Sequence, residues 1–113
     1  MKRPTLVYLD DVLESIGCIR EYVGDSDREA FLKDRQLQDA VIRRLEIIGE
    51  AVKHLPADQR KKHDSIAWSQ IAGLRDVLIH AYFGVNPEQL WLVIRNELDD
   101  LESAIRKIKT ELK

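Results

Sequence analysis

The sequence predicts an all-α protein, an up-and-down bundle of about four main helices. Three observations point there. Apolar residues recur at spacings of three and four along most of the chain, and no strand-like alternation persists anywhere. Helix-breaking residues are scarce, with 5 Gly and 3 Pro in 113 residues, and they fall where helices would end. About a third of the chain is charged, interleaved with the aliphatic residues as solvated helix faces require.

Leu9, Val12, Leu13, Ile16, Ile19 and Val23 define a first helix that ends near Gly24. "GDSDRE" reads as a turn, with Ser26 or Asp27 capping a short helix through Lys33. A long helix is expected from about Arg35 to Leu55, with Leu37, Val41, Leu45, Ile48, Val52 and Leu55 on one face. Pro56 and the polar run "PADQRKKHDS" read as a loop. Its cluster of Arg60, Lys61, Lys62 and His63 is expected to be solvated surface, with RNA contact the less favoured reading. A third helix should run from Ile66 or Ala67 to Tyr82 and stop at Gly84. The fourth is punctuated by Asn86 as cap, Pro87 in the first turn and Gln89 three residues after the cap. Along it Trp91, Ile94, Leu98, Leu101, Ile105, Ile108 and Leu112 predict one continuous coiled-coil-like seam.

The length suits a single domain over residues 1–113, with one modest core. The formal net charge is −2, so bulk charge does not advertise nucleic-acid binding. Its distribution is uneven: residues 1–34 carry 5 basic and 8 acidic side chains, 35–85 carry 8 and 6, and 86–113 carry 5 and 6. The positive middle hints at a local anionic ligand. Cys18 is alone, so neither an intrachain disulfide nor a multi-cysteine metal site is expected. No stretch approaches a membrane span and the N-terminus lacks a signal-like apolar run, so the expected location is cytoplasmic.

The informative stretch is "LRDVLIHAYFGVN", residues 74–86. On a helix turning about 100° per residue, Leu74, Leu78, Ile71, Tyr82, Trp68 and Ile79 fill one apolar arc, and Arg75 falls inside it. An arginine there needs a partner, a route to water or a ligand. Snorkelling, or pairing with a carboxylate such as Glu50, remains open beside a phosphate-handling role. His80 lies on the polar side with Asp76 one turn earlier. From there the carboxylate can accept from one ring nitrogen and leave the other for proton transfer. Arg75 and His80 are five apart, about 140° round a regular helix, so one copy aims them in different directions. A bent helix end near Gly84, or two copies across a twofold axis, would bring them together.

The order R-x-x-x-x-H-x-Y, filled by Arg75, His80 and Tyr82, resembles the motif of HEPN-domain ribonucleases. The context "WSQIAGLRDVLIHAYFGVNPEQLW" and the segment "LEIIGEAV", residues 45–52, resemble the HepT branch, the toxin half of MntA–HepT toxin–antitoxin pairs of type VII. The resemblance covers nearly the whole chain. It implies a HEPN-like helical homodimer with both motifs lining one cleft, and metal-independent endonucleolytic cleavage of RNA by attack of the ribose 2′-hydroxyl on the adjacent phosphate. In that chemistry His80 serves as general base or acid and Arg75 holds the phosphorane charge through its forked donors. No cofactor or metal is implied for this chain. The implied partner is an MntA-like nucleotidyltransferase antitoxin, which would use ATP and silence the toxin by transferring AMP to Tyr82. Asp76 supports the motif, and it departs from the family, where this position is often Asn. Its carboxylate places a negative charge beside the scissile phosphate.

Two further residues bear on the site. Arg44 projects into the apolar arc of the long helix, where it either lines the cleft or pairs with an acidic residue. Glu50 is expected to order a buried arginine. The alternative function is a non-catalytic helical module that binds nucleotide or RNA as the partner of the nucleotidyltransferase.

Overall fold

The computed structural model describes residues 4–73 and 86–112. Their regular structure is entirely helical, as the apolar spacing predicts: α1 (Thr5–Val23), α2 (Arg28–Lys33), α3 (Arg35–Lys53), α4 (Ala57–Lys62), α5, entered at residue 68 and described through 73, α6 (Pro87–Asn96) and α7 (Leu98–Glu111).

The first turns of the chain are closed by their own side chains. Gly24 ends α1 at φ 51°, a left-handed conformation that only glycine adopts without steric cost, and its N–H returns to the Arg20 carbonyl. Asp27 then accepts from the Ala30 N–H to start α2. Asp34 serves two helices at once. Its N–H closes α2 on the Phe31 carbonyl, and its carboxylate opens α3 by accepting from the Leu37 N–H at 3.0 Å. Gln38 reaches back from α3 and donates to the carbonyls of Phe31 and Leu32, meeting acceptors that the end of a six-residue helix leaves unpaired.

α1 and α3 run antiparallel, because the Tyr8 ring at the start of α1 stacks on His54 just past the end of α3, with centroids 4.6 Å apart. α7 is antiparallel to α1 as well: Lys109 donates to Asp10 at 2.8 Å and Arg20 to Glu102 at 2.8 Å. The core lies where these three helices meet. Leu9, Val12, Ile16 and Ile19 face Val41, Leu45, Ile48 and Val52, and Leu98, Leu101, Ile105 and Ile108 close the third side. Each such aliphatic side chain contributes about 1.5–3 kcal/mol by burial. α2 and α6 form a smaller annex through buried Phe31, the Phe31–Trp91 ring contact and the Arg28–Glu88 pair.

Three expectations are corrected. The stretch after Pro56 is not a loop, since residues 57–62 form α4. Its sequence suits a helix: Asp58 lies in the first turn, and Arg60, Lys61 and Lys62 lie in the last, each complementing the helix dipole. The final helix is not one seam. It is interrupted at Glu97, where α6, packed on α2, gives way to α7, packed on α1. The predicted seam therefore fails at both ends. Leu90 is buried in place of half-buried Trp91, and Leu112 is 43% exposed. Finally α3 stops at Lys53, although Leu55 beyond it is still buried.

Candidate active site and its supports

Arg75, Asp76, His80 and Tyr82 lie outside the described residues. What is described is the helical segment 68–73, which precedes them in the chain, and residues 86–112, which follow. α5 begins at Trp68, which is 7% exposed and anchors it. The indole N–H is shared between the carbonyls of Arg60 and His63, each at 3.0 Å. Both carbonyls belong to the last turn of α4 or its cap, and each also accepts a backbone N–H, Arg60 from His63 and His63 from Ile66, so the indole is a second donor to each. One donor thus ties the end of α4 to the start of α5. Ile71, one turn on, is buried in the core. The anchor is seven positions before Arg75 in the chain.

Beside this junction lies a groove of about 510 Å³. Ala57, Ile66, Ala67 and Trp68 supply its apolar walls, while Arg60, Lys61, Asp64, Ser69 and Gln70 supply polar groups. The Arg60 Nε atom is buried and meets no hydrogen-bond acceptor. Its neighbour His63 is engaged elsewhere, with Nε2 3.3 Å from a Glu111 carboxylate oxygen on α7.

On α3, Arg44 is half-buried and donates through Nε to the Tyr22 hydroxyl at 3.3 Å. That bond, with the nearby Cys18, Tyr22 and Glu14 groups, raises its pKa further above the ordinary arginine value, against the opposing effect of desolvation. Its hydrogen-bond partner is therefore a phenol on α1, in place of the expected carboxylate. Glu50 belongs to a second groove, of about 360 Å³, together with Tyr8, Asp11, Arg43, Glu46, Ile47 and Ala51. One Glu50 oxygen lies 3.4 Å from His54 Nε2, an i,i+4 contact on α3. Among the described residues, no three His, Cys, Asp or Glu side chains converge as a metal site would require. No helix searched there is long and apolar enough to cross a membrane.

Reading the sequence for function did not find the Trp68 anchor. A signal was present: a tryptophan at a helix start, eight residues after Arg60, carries one N–H that burial obliges to find an acceptor. The stacking of Tyr8 on His54 had no comparable signal, since the two are 46 positions apart (54 − 8) and neither lies in a motif.

Comparison with known proteins adds the family. The Ribonuclease HepT-like family matches residues 12–108. A Methanocaldococcus jannaschii protein named "Gamma-glutamylcyclotransferase and putative RNase" is 45% identical over 112 residues, covering 99% of this chain and 50% of its own. A Thermococcus cleftensis protein named "Probable ribonuclease HepT" is 43% identical over 109 residues, covering 96% of this chain and 99% of its own. The chain thus spans half the length of the first relative and nearly all of the second. No solved structure gives a significant match. With the match extending from α1 to α7 and through the R-x-x-x-x-H-x-Y stretch, the chain belongs to the ribonuclease HepT-like family.

Proposed function

We propose that the chain is a metal-independent endoribonuclease, the toxin of a type VII toxin–antitoxin pair, acting in the cytoplasm as a homodimer. The observation that carries this reading is the presence of Arg75, His80 and Tyr82, at the motif's spacing, inside the matched region of a HepT-like chain. The names of the relatives support ribonuclease chemistry in general.

In the proposed reaction His80 accepts the proton of a ribose 2′-hydroxyl as its oxygen attacks the neighbouring phosphorus. The P–O5′ bond breaks and the 5′-oxygen leaves as a hydroxyl after taking up a proton. The products are a 2′,3′-cyclic phosphate and a 5′-hydroxyl end. Arg75 stabilises the extra charge on the pentacoordinate phosphorus, for which a planar fork of donors is suited. Asp76 fixes the His80 tautomer. The 140° separation of Arg75 and His80 on one helix is reconciled by a twofold axis that places two motifs in one cleft. Arg44 and Glu50, both on α3, are the remaining polar candidates for lining that cleft and ordering Arg75.

Regulation follows from Tyr82. Transfer of AMP from ATP by an MntA-like nucleotidyltransferase would put a bulky phosphodiester anion on its hydroxyl, with release of pyrophosphate, and so repel RNA. The test uses purified protein with chelator present. Wild type should cut RNA, and His80→Ala should lose about 10²–10⁴ in rate while remaining folded. Arg75→Lys should be impaired as well. Tyr82→Phe should still cut, yet escape both adenylylation, read by intact mass, and neutralisation. Undiminished cleavage by folded His80→Ala protein would refute the site. RNA binding with no cleavage by wild type would favour the non-catalytic binding module.

A further inference from the structure

We propose that the groove at the α4–α5 junction is a docking site for single-stranded RNA, holding the substrate's backbone upstream of the motif. This rests on the ribonuclease reading above and extends it to residues outside the motif.

Charge is the first argument. Among the described residues, Arg20 pairs with Asp99 and Glu102, Arg28 with Glu88, Arg43 with Glu46, Arg106 with Glu102, and Lys109 with Asp10. The three consecutive cations of α4, like Lys33, Arg35 and Lys107, meet no carboxylate among the described residues. What sets Arg60, Lys61 and Lys62 apart is that they follow one another in one turn, while His63 turns away to Glu111 on α7. Two of the three, Arg60 and Lys61, line the groove, against a single carboxylate from Asp64. The Arg60 guanidinium is moreover partly desolvated, with a buried and unpartnered Nε. An unpaired charge in that state is costly, and an anion in the groove would offset the cost through the exposed end of the same group.

Shape and chemistry make the second argument. A volume of about 510 Å³ is that of a small-ligand cleft. Its apolar walls suit a base or ribose face, while Ser69 and Gln70 offer neutral hydrogen-bonding groups. Polymer length makes the third. The wall residue Trp68 is seven positions before Arg75, and Gln70 is five before it, so the groove is lined by residues that closely precede the motif in the chain. A strand held by its phosphates in the groove would be held within a few chain positions of the motif, whereas an isolated nucleotide would gain nothing from that proximity.

The experiment separates this docking site from the cleavage site. His80→Ala protein, which binds without cutting, is titrated with a short fluorescent single-stranded RNA across a salt series. Each phosphate contact on a single strand contributes about 0.7 to the slope of log affinity against log salt. Adding Arg60→Gln and Lys61→Gln should therefore lower the slope by about 1.4 and weaken binding roughly tenfold at low salt. Lys61 is exposed, so Lys61→Gln alone, with an expected fall of about 0.7, keeps the test valid should Arg60→Gln disturb folding. Lys61→Arg should leave the slope unchanged. An unaltered slope in the folded charge-neutralised proteins would overturn the docking site even if wild type cleaves RNA. A lowered slope alongside wild-type protein that never cleaves would instead refute the ribonuclease reading and leave the docking site standing. Displacement of RNA by a polyglutamate peptide at equal concentration would overturn it in favour of an acidic protein partner.

Discussion

Replacing Trp68 with Phe tests whether the α4–α5 junction is held by one indole N–H. The substitution keeps an aromatic ring in the core and removes the donor shared by the Arg60 and His63 carbonyls. Each carbonyl keeps its backbone donor, from His63 and Ile66, so losing the indole bond should cost about 0.5–1.5 kcal/mol. Shrinking a ring that is only 7% exposed adds about 1 kcal/mol more. With a urea dependence of about 1–3 kcal/mol per molar for a small protein, the unfolding midpoint should fall by roughly 1 M. Trp91→Phe supplies the comparison. That ring is half-buried, tilted against Phe31 at 5.5 Å and covered by the Arg95 guanidinium at 5.7 Å. Its loss should cost about 1 kcal/mol or less. Equilibrium unfolding followed by circular dichroism at 222 nm reads both variants, since each retains its helices until the transition. Equal midpoints for Trp68→Phe and Trp91→Phe would refute the anchoring role of the indole. Cleavage should fall further for Trp68→Phe than for Trp91→Phe at temperatures where both are folded, because only the first loosens the junction that precedes Arg75 in the chain.

Ser15 is fully buried on α1 and its hydroxyl has no partner, so Ser15→Ala should stabilise the protein by about 1 kcal/mol and raise Tm by several degrees in a thermal melt. Asp34→Ala removes the cap of α3 and should cost about 1 kcal/mol in urea titration, whereas Asp34→Asn should recover most of it. Hydrogen bonding from Arg20, then from Arg106, holds the Glu102 carboxyl below its ordinary 4.5 against a desolvation effect of opposite sign. A depressed folded pKa stabilises above the unfolded value and ceases to do so as pH falls through the depressed one. Arg20→Gln should therefore destabilise at neutral pH by up to about 1 kcal/mol, a figure kept small by solvent screening, and the difference from wild type should vanish in acid.

The helices of the core were legible in the sequence because each has a single neighbour-facing stripe. α1 and α3 keep one face inward along their whole length, so Leu9 to Val23 and Val41 to Val52 read correctly from spacing alone. The seam from Trp91 to Leu112 misled for the converse reason: spacing records which residues share a face, and it carries no record of a change of partner at Glu97. α4 was overlooked because its buried surface is slight, with Gln59 its buried residue, so no apolar period marks it. Of the candidate site, the motif was read as chemistry from Arg75, His80 and Tyr82. The hydrogen bond between Arg44 and Tyr22 depends on long-range packing of α1 against α3, which local spacing does not encode. Capping was the most transferable signal: residue type offered Ser26 or Asp27 for the second helix and Asn86 for the last, and Asp27 and Asn86 each accept a first-turn backbone N–H.

The central claim is RNA cleavage through the 2′-hydroxyl by His80 and Arg75, and the nature of the cut ends tests it most directly. Purified protein in excess chelator is given a short RNA, and the same RNA with one 2′-deoxynucleotide on the 5′ side of the mapped cut. Mass spectrometry should find 2′,3′-cyclic phosphate and 5′-hydroxyl ends on the first, and no cleavage at the substituted position of the second. Products bearing 5′-phosphate ends, or equal cutting at the deoxynucleotide, would contradict the account.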